Sequence, residues 1–74
     1  MTEREMFEVR FFDETSNDIV FSIKKARKLH KKGHTLRAIG SLKEFPELVR
    51  RTSTIQKFVG KRKFETRNSL YTIS

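Results

Sequence analysis

The chain has no cysteine, no tryptophan and only one proline among its 74 residues. Without cysteine it can form neither a disulfide nor a zinc site built on thiolates, and this composition is typical of a reducing, cytoplasmic compartment. No apolar run approaches the roughly 20 residues that a membrane-spanning helix needs, and the mixed, acidic N-terminus is unlike a secretory signal. We therefore expect a cytoplasmic protein without a membrane partner.

Apolar residues are also scarce, at 35% of the sequence. A chain of this length forms one domain, here residues 1–74, and buries only a small core. Because domains of this size often gain stability from a partner or a second copy, a homodimer is a candidate oligomeric state.

Acidic residues are absent between residues 22 and 42, where seven basic residues lie. The net charge of the whole chain is +8, divided into −4 over residues 1–22, +7 over residues 23–42 and +5 over residues 43–74. Such an asymmetry in charge usually concerns binding partners rather than the fold.

The first part of the chain predicts an N-terminal β-hairpin. Residues 6–12 and 19–23 alternate apolar and polar side chains with the period of a strand. Residues 13–18 between them are polar and belong to the types that form turns. The predicted apolar faces consist of Phe7, Val9 and Phe11 in the first strand and Ile19, Phe21 and Ile23 in the second.

Residues 23–32 predict a basic amphipathic helix. Ser22 is a suitable N-cap, and Gly33 is placed to end the helix in the left-handed conformation. At about 100° per residue, one arc of the helix is apolar and the opposite arc is basic. The apolar arc consists of Ile23, Ala26, Leu29 and His30.

Residues 35–42 are predicted as a further strand. One face of this strand would hold Leu36, Ala38, Gly40 and Leu42. A helix is the alternative for this segment, although a glycine in a helix interior is unfavourable by about 1 kcal/mol.

The last part of the chain predicts a second helix and a C-terminal β segment. Pro46 suits the first turn of a helix, and apolar residues at helical spacing continue to Val59. Residues 64–74 are rich in β-favouring residues and predict a closing strand or short hairpin. Together these elements predict a small α+β domain with both helices on one face of a sheet.

The aromatic residues are divided between core and surface. We predict core positions for Phe7, Phe11, Phe21, Phe45 and Phe58. Phe12, Phe64 and Tyr71 fit either the core or the surface.

A helix-turn-helix-like body is the alternative fold. After the basic helix and Gly33, the run Thr35-Leu36-Arg37 leads to Ile39. In this order the segment resembles the first two helices of the helix-turn-helix found in resolvases and small transcription regulators, and it departs from that pattern at Gly40, Lys43 and Glu44. The resemblance implies a hairpin followed by three helices. The third helix, residues 46–59, would then enter the major groove with Arg50, Arg51 and Thr54.

The basic helix is the main functional signal. Lysine and arginine side chains on one helix face neutralise phosphates and release counterions. A row of like charges also destabilises a helix unless a polyanion binds. We therefore predict a non-enzymatic nucleic-acid-binding protein that contacts the phosphate backbone of DNA or RNA with modest sequence specificity. The predicted contact residues are Lys24, Lys25, Arg27, Lys28, Lys31, Lys32, Arg37, Arg50, Arg51, Lys61, Arg62 and Lys63.

A small protein-binding inhibitor or adaptor is the alternative function. A basic protein of this size, of the kind that phages encode, would dock on an acidic surface of a host protein. The discriminating property is the dependence of binding on salt, which is steep for nucleic acid.

We expect no catalytic residues, no metal site and no cofactor. Asp13, Glu14 and Asp18 are the densest acids and could serve a Mg²⁺-dependent nuclease, but they fit a polar turn better. His30 and His34 have a metal-ligand spacing, yet Gly33 lies between them and their neighbours are cationic.

Overall fold

The computed structural model covers residues 1–74 and contains one helix and seven strands. In chain order the elements are β1 (Thr2–Asp13), β2 (Asp18–Val20), α1 (Ile23–Lys31), β3 (Leu36–Leu42), β4 (Phe45–Arg51), β5 (Lys57–Phe58), β6 (Lys63–Glu65) and β7 (Ser69–Ile73). All strands belong to one mixed sheet in the order β4-β3-β1-β7-β6-β5, with β2 paired to β1. The protein is therefore mostly β, and the predicted α+β domain with two helices is wrong.

Strand β1 lies at the centre of the sheet and pairs with three other strands. Strand β3 runs antiparallel along one edge of β1. The other edge is shared, because β7 runs parallel to residues 2–6 and β2 runs antiparallel to residues 11–13. The predicted N-terminal hairpin of β1 and β2 is thus confirmed, with a longer first strand and a shorter second strand than expected.

A β-bulge in the middle of β1 changes which side chains reach the core. Phe7 lies opposite Ser41 and Arg10 lies opposite Ile39, so β1 holds one residue more than β3 over this stretch. Glu8 takes up the extra residue with a φ of 53°. As a result both Met6 and Phe11 are buried, although strict alternation places them on opposite faces.

Gly40 lies in β3 opposite the bulge. A Cβ atom at this position would lie 3.0 Å from the carbonyl oxygen of Phe7 and 3.0 Å from Cγ2 of Val9. The predicted face of β3, with Leu36, Ala38, Gly40 and Leu42 on one side, is confirmed because all four are buried. Gly40 therefore has a packing role that the sequence pattern did not indicate.

The apolar face predicted for β2 is wrong. Val20 is buried, whereas Ile19 is 44% exposed and Phe21 is 75% exposed. The reason is the hairpin register, in which Val20 lies directly opposite Phe11 and so shares its core-facing side. The four-residue connection of residues 14–17, with Asn17 at a φ of 58°, sets this register.

The predicted second helix is wrong, since this part of the chain forms β4, an irregular segment and β5. The apolar residues at helical spacing do not share a buried face, because Thr52 and Ile55 are buried while Leu48 and Val59 are exposed. The β-branched residues of this segment favour an extended backbone. Strand β4 lies at one edge of the sheet, and all seven of its residues are exposed.

Residues 52–56 bring the two edges of the sheet together. The amides of Thr52 and Ile55 donate to the carbonyl oxygens of Ala38 and Leu36 in β3, at 2.9 and 2.8 Å. The amide of Gln56 then donates to the carbonyl oxygen of Glu65 in β6, at 2.7 Å. The sheet is therefore curled into a nearly closed barrel whose last edge is formed by this segment.

The helix-turn-helix-like alternative is also wrong. Residues 36–42, which would open its second helix, form strand β3, and the proposed third helix is strand β4 and β5. The preferred prediction of a strand for residues 35–42 is confirmed. Of the two alternatives for the C-terminal segment, a closing strand or a short hairpin, the hairpin is observed as β6 and β7.

The core lies inside the curled sheet beneath helix α1. It consists of Met6, Phe11, Val20, Ala26, Leu36, Ala38, Leu42, Ile55 and Phe64. Phe58 packs against this cluster, with ring centroids 5.9 Å from Phe11 and 6.1 Å from Phe64. The core positions predicted for Phe7, Phe21 and Phe45 are wrong. Phe7 belongs neither to the core cluster nor to the side chains that pack against it, and Phe21 and Phe45 are 75% and 47% exposed.

A buried carboxylate joins the hairpin to the end of the helix. Asp13 is fully buried and accepts hydrogen bonds from the amides of Thr15 and Ser16 at 2.9 and 3.3 Å. Its Oδ2 lies 2.7 Å from Nδ1 of His34. Burial raises the pKa of the Asp13 carboxyl, but the hydrogen bonds from His34, Ser16 and Thr15 outweigh it, so the pKa lies below its ordinary value.

We expect Gly40→Ala to lower the free energy of unfolding by about 1–3 kcal/mol, because the new methyl group overpacks the bulge of β1. The matched control is Gly60→Ala, since no atom lies within 4 Å of a Cβ there. Urea unfolding followed by circular dichroism measures both variants. Equal midpoints for the two variants would show that the bulge and β3 are not in close contact.

We expect Asp13→Asn to lower the free energy of unfolding at pH 7 by about 1–3 kcal/mol, since it removes the charge that strengthens the hydrogen bonds of this side chain and places an NH2 group where Oδ2 faces Nδ1 of His34. The folded-state pKa of Asp13 is lowered, so its contribution is present above the unfolded pKa of about 3.9 and is lost as pH falls below it. The difference in stability between wild type and variant should therefore shrink between pH 7 and pH 3. Asp18→Asn removes the same charge from an exposed position of the hairpin and serves as the control. A pH-independent difference would contradict the role assigned to the ionised carboxyl.

Candidate functional site

Helix α1 begins and ends as the sequence predicts. The Ser22 hydroxyl accepts a hydrogen bond from the amide of Lys25 at 3.3 Å. At the other end, the amide of Gly33 donates to His30 at 3.0 Å and the amide of His34 donates to Leu29 at 3.1 Å. With Gly33 at a φ of 93°, these two bonds form a Schellman cap.

The apolar arc of α1 holds the helix on the sheet. Ala26 is fully buried, and Ile23 and Leu29 pack against the core beside it. The ring of His30 meets the ring of Phe58 edge-on, with centroids 5.6 Å apart. Because both flanks of the helix are anchored in this way, its opposite arc must face solvent.

Four cations form the solvent-facing arc of α1, which we call the basic face. Lys24, Arg27, Lys28 and Lys31 line a surface depression of 130 Å³ that no other residue contributes to. Their spacing of three and four residues places them on one side of the helix within about 100° of arc. The prediction that these side chains share a face of one helix is confirmed.

The acidic residues of the chain do not neutralise the basic face. The four ion pairs of the structure join His34 to Asp13, Arg37 to Glu14, Lys43 to Glu5 and Lys57 to Glu65. All of these pairs lie outside the basic face. The first turn of α1 contains no acidic residue, so the charge of Lys24 opposes the positive end of the helix dipole. The basic face is thus a concentration of unneutralised charge.

Lys25 and Lys32, which flank the basic face, are both exposed. Lys25 lines a different recess of 340 Å³ together with Asp18 and the ring of His34. Lys32 forms the C-cap of the helix.

Arg37 is engaged in structural contacts away from the basic face. Its Nε donates to the carboxylate of Glu14, and its Nη1 lies 3.4 Å from the carbonyl oxygen of Thr52. The structure therefore separates Arg37 from the other cations of the predicted set and gives its charge a partner.

The remaining predicted cations lie on other elements. Lys61 and Arg62 belong to the connection between β5 and β6, and Lys63 is the first residue of β6. All three are exposed. Arg50 and Arg51 lie at the end of edge strand β4. The predicted set therefore combined the four cations of the basic face with eight others that lie outside it.

Sequence reasoning missed the position of Arg4. This residue lies in β1 and lines a pocket of 170 Å³ together with Arg50 and Arg51. We call this the arginine pocket. The parallel pairing of β1 with β7 creates it, and no local pattern in the sequence indicates that pairing. The only signal in the sequence is that Arg4 lies two residues before Met6, a spacing that places both side chains on the same face of a strand.

The structure contains no helix with the length and apolar character that spanning a membrane requires. The chain matches no protein-family model, no curated protein and no solved structure. Function is therefore inferred from the geometry and charge of the two basic clusters.

Proposed function

We propose that this protein binds nucleic acid without catalysis and that the basic face of α1 contacts the phosphate backbone. The observation that carries the proposal is that the four cations of this face line one depression and none of them has an acidic partner. Unpaired like charges on one helix face repel one another, and a polyanion removes this repulsion.

The length of the basic face fits a short stretch of one strand. Lys24 and Lys31 are seven positions apart, which corresponds to about 10 Å along a helix axis. In a duplex, successive phosphates of one strand advance by about 3.4 Å along the axis. The face therefore spans about three phosphates, and three or four cations are available to neutralise them.

The chemistry of the basic face favours phosphate contact over base recognition. Three of its four residues are lysines, which act as flexible point charges, and only Arg27 carries a planar fork. Asparagine and glutamine, which read adenine edges, are absent from the face. We therefore infer modest sequence preference, with affinity governed by charge.

The other predicted cations have secondary roles in this proposal. Lys25 and Lys32 flank the basic face and would extend its contacts along the strand. Lys61, Arg62 and Lys63 would raise the overall affinity through long-range attraction. Arg37 contributes least, since its charge is already paired with Glu14.

A protein-binding inhibitor or adaptor is the second candidate function, favoured by the exposed side chain of Phe21. This aromatic residue directly precedes the N-cap of α1 and is 75% exposed. Aromatic side chains are enriched at protein interfaces, where a few buried anchors carry most of the binding energy. In this case an acidic protein surface would cover the basic face, and Phe21 would supply most of the affinity.

We expect the triple substitution of Lys24, Lys28 and Lys31 by Ala to weaken nucleic-acid binding and to reduce its salt dependence. Each lost phosphate contact reduces the slope of log K against log salt by about 0.7–0.9, so the slope should become shallower by about 2–3. Fluorescence anisotropy with single-stranded, double-stranded and RNA oligonucleotides, repeated over a salt series, measures the effect.

The matched control replaces Lys43, Lys57 and Arg67 by Ala, which removes the same charge outside the basic face. Equal losses for the two triple variants would contradict a specific role for α1. Binding of wild type weaker than ~100 μM at low salt is weaker than ordinary non-specific binding and would rule out the proposal. The adaptor alternative instead predicts that Phe21→Ala abolishes capture of an acidic protein partner while salt has only a shallow effect.

A further inference from the structure

The arginine pocket is separate from the basic face and has a different construction. It lies between β1, β4 and β7 and shares no residue with the depression on α1. Its cations are arginines, namely Arg4, Arg50 and Arg51, whereas the basic face is mostly lysine. A guanidinium carries five donors in a rigid plane and suits fixed oxyanion recognition better than an ammonium group does.

Two of the arginines lie on the core-facing side of the sheet. Arg4 precedes buried Met6 by two residues in β1 and is paired with Tyr71 in β7. Side chains two residues apart share a face of a strand. Arg50 is paired with Gly40, which belongs to the buried face of β3. Both side chains therefore lie on the side of the sheet that carries the core, and Arg50 remains exposed because it belongs to edge strand β4.

No acidic side chain pairs with these arginines. The four ion pairs of the structure all involve other basic residues. The side chains of Arg4 and Arg50 lie on the same side of the sheet and carry like charges that repel one another across this space of 170 Å³. Such an arrangement favours the binding of an anion between them.

The floor of the arginine pocket strengthens its attraction for an anion. Met6 and Leu42 are 0% and 2% exposed and form part of its lining. Apolar groups beneath charged donors exclude water, and hydrogen bonds to charged groups become stronger in such surroundings. Ser69 and Tyr71, whose side chains each carry a hydroxyl group, also line the pocket.

We propose that the arginine pocket binds a phosphate group. A phosphate monoester offers three oxygens and nearly two negative charges, which match several guanidinium donors. The volume of 170 Å³ lies below that of ordinary ligand pockets, about 300–1,000 Å³, and suits a small group rather than a large ligand. The phosphate could belong to a free nucleotide or to the 5′ end of a nucleic-acid strand, and both sources present the same chemistry.

Titration of ¹⁵N-labelled protein with inorganic phosphate, at ionic strength held constant with sodium chloride, tests the proposal. We expect saturable NMR shifts at the Nε–Hε groups of Arg4 and Arg50 and at the amides of Ser69 and Tyr71. Arg50→Gln should weaken phosphate binding about tenfold, which corresponds to about 1.4 kcal/mol. Arg67→Gln removes the same charge from the β6–β7 turn, outside the pocket, and should leave the affinity unchanged.

A second variant tests whether the planar guanidinium of Arg50 is required for phosphate binding, as distinct from its charge or from the stability of the fold. Arg50→Lys keeps the charge but not the bidentate geometry, and we expect it to bind phosphate more weakly than wild type while keeping a dispersed spectrum. Equal affinities for wild type, Arg50→Gln and Arg67→Gln would overturn the proposal. Shifts that do not saturate, or that appear equally on the lysines of α1, would overturn it as well.

The proposal can fail independently of nucleic-acid binding by α1. The triple alanine variant of the basic face should keep its affinity for inorganic phosphate, although it binds an oligonucleotide that ends in a 5′-hydroxyl more weakly than wild type does. Loss of phosphate binding in the triple variant would overturn a separate pocket. In the triple alanine variant, tighter binding of a 5′-phosphorylated oligonucleotide than of the same oligonucleotide with a 5′-hydroxyl would support a strand end as the source. Equal binding of these two oligonucleotides, together with binding of a nucleoside 5′-monophosphate, would support a free nucleotide.

Discussion

The pairing of β1 with β3 across the bulge at Glu8 is the constraint on which the rest of the fold depends. The bulge lets one strand of 12 residues direct both Met6 and Phe11 into the same core. It requires a close approach of the two backbones, and Gly40 permits this approach because it has no side chain. The two ends of β1 pair with different strands on the same edge: residues 2–6 pair with β7, and residues 11–13 pair with β2.

Strand β1 also determines which basic residues form ion pairs with the acidic residues at the start of the chain. Glu5 pairs with Lys43, and Asp13 at the end of β1 binds His34 just beyond the helix. Glu14, the next residue, pairs with Arg37. The acidic first part of the sequence therefore neutralises residues of the sheet and its loops, and the cations of α1 keep their full charge. The asymmetry in charge along the sequence becomes an asymmetry across the surface.

Two basic clusters of different character result from this arrangement. The basic face of α1 is an exposed row of mostly lysines on a helix, suited to a flexible polyanion. The arginine pocket is concave, has an apolar floor and is suited to a single phosphate group. Both proposals rest on basic side chains that have no acidic partner. The basic face depends only on helix α1, whereas the arginine pocket depends on strands from three parts of the chain.

The sequence by itself determined the elements whose signals are local. Helix α1 was predictable from the cap at Ser22, the stop at Gly33 and the separation of apolar from basic residues over 3.6 residues per turn. The first hairpin, strand β3 and the C-terminal hairpin were predictable from alternation and turn residues. The basic face followed directly from the helix, because side chains spaced by three or four residues share one side whatever the rest of the fold does.

Only the tertiary structure decided the features that depend on pairing between distant segments. The spacing of Leu48, Thr52, Ile55 and Val59 fits a helix, yet hydrogen bonds from Thr52 and Ile55 to β3 hold this part of the chain extended. The bulge in β1 and the register of β2 reversed the faces predicted from strict alternation, since one residue of shift moves a side chain to the other side of a sheet. The arginine pocket exists only because β7 returns to lie beside β1. Such contacts depend on the packing of the whole barrel, and the local sequence of one strand does not indicate which distant strand it pairs with.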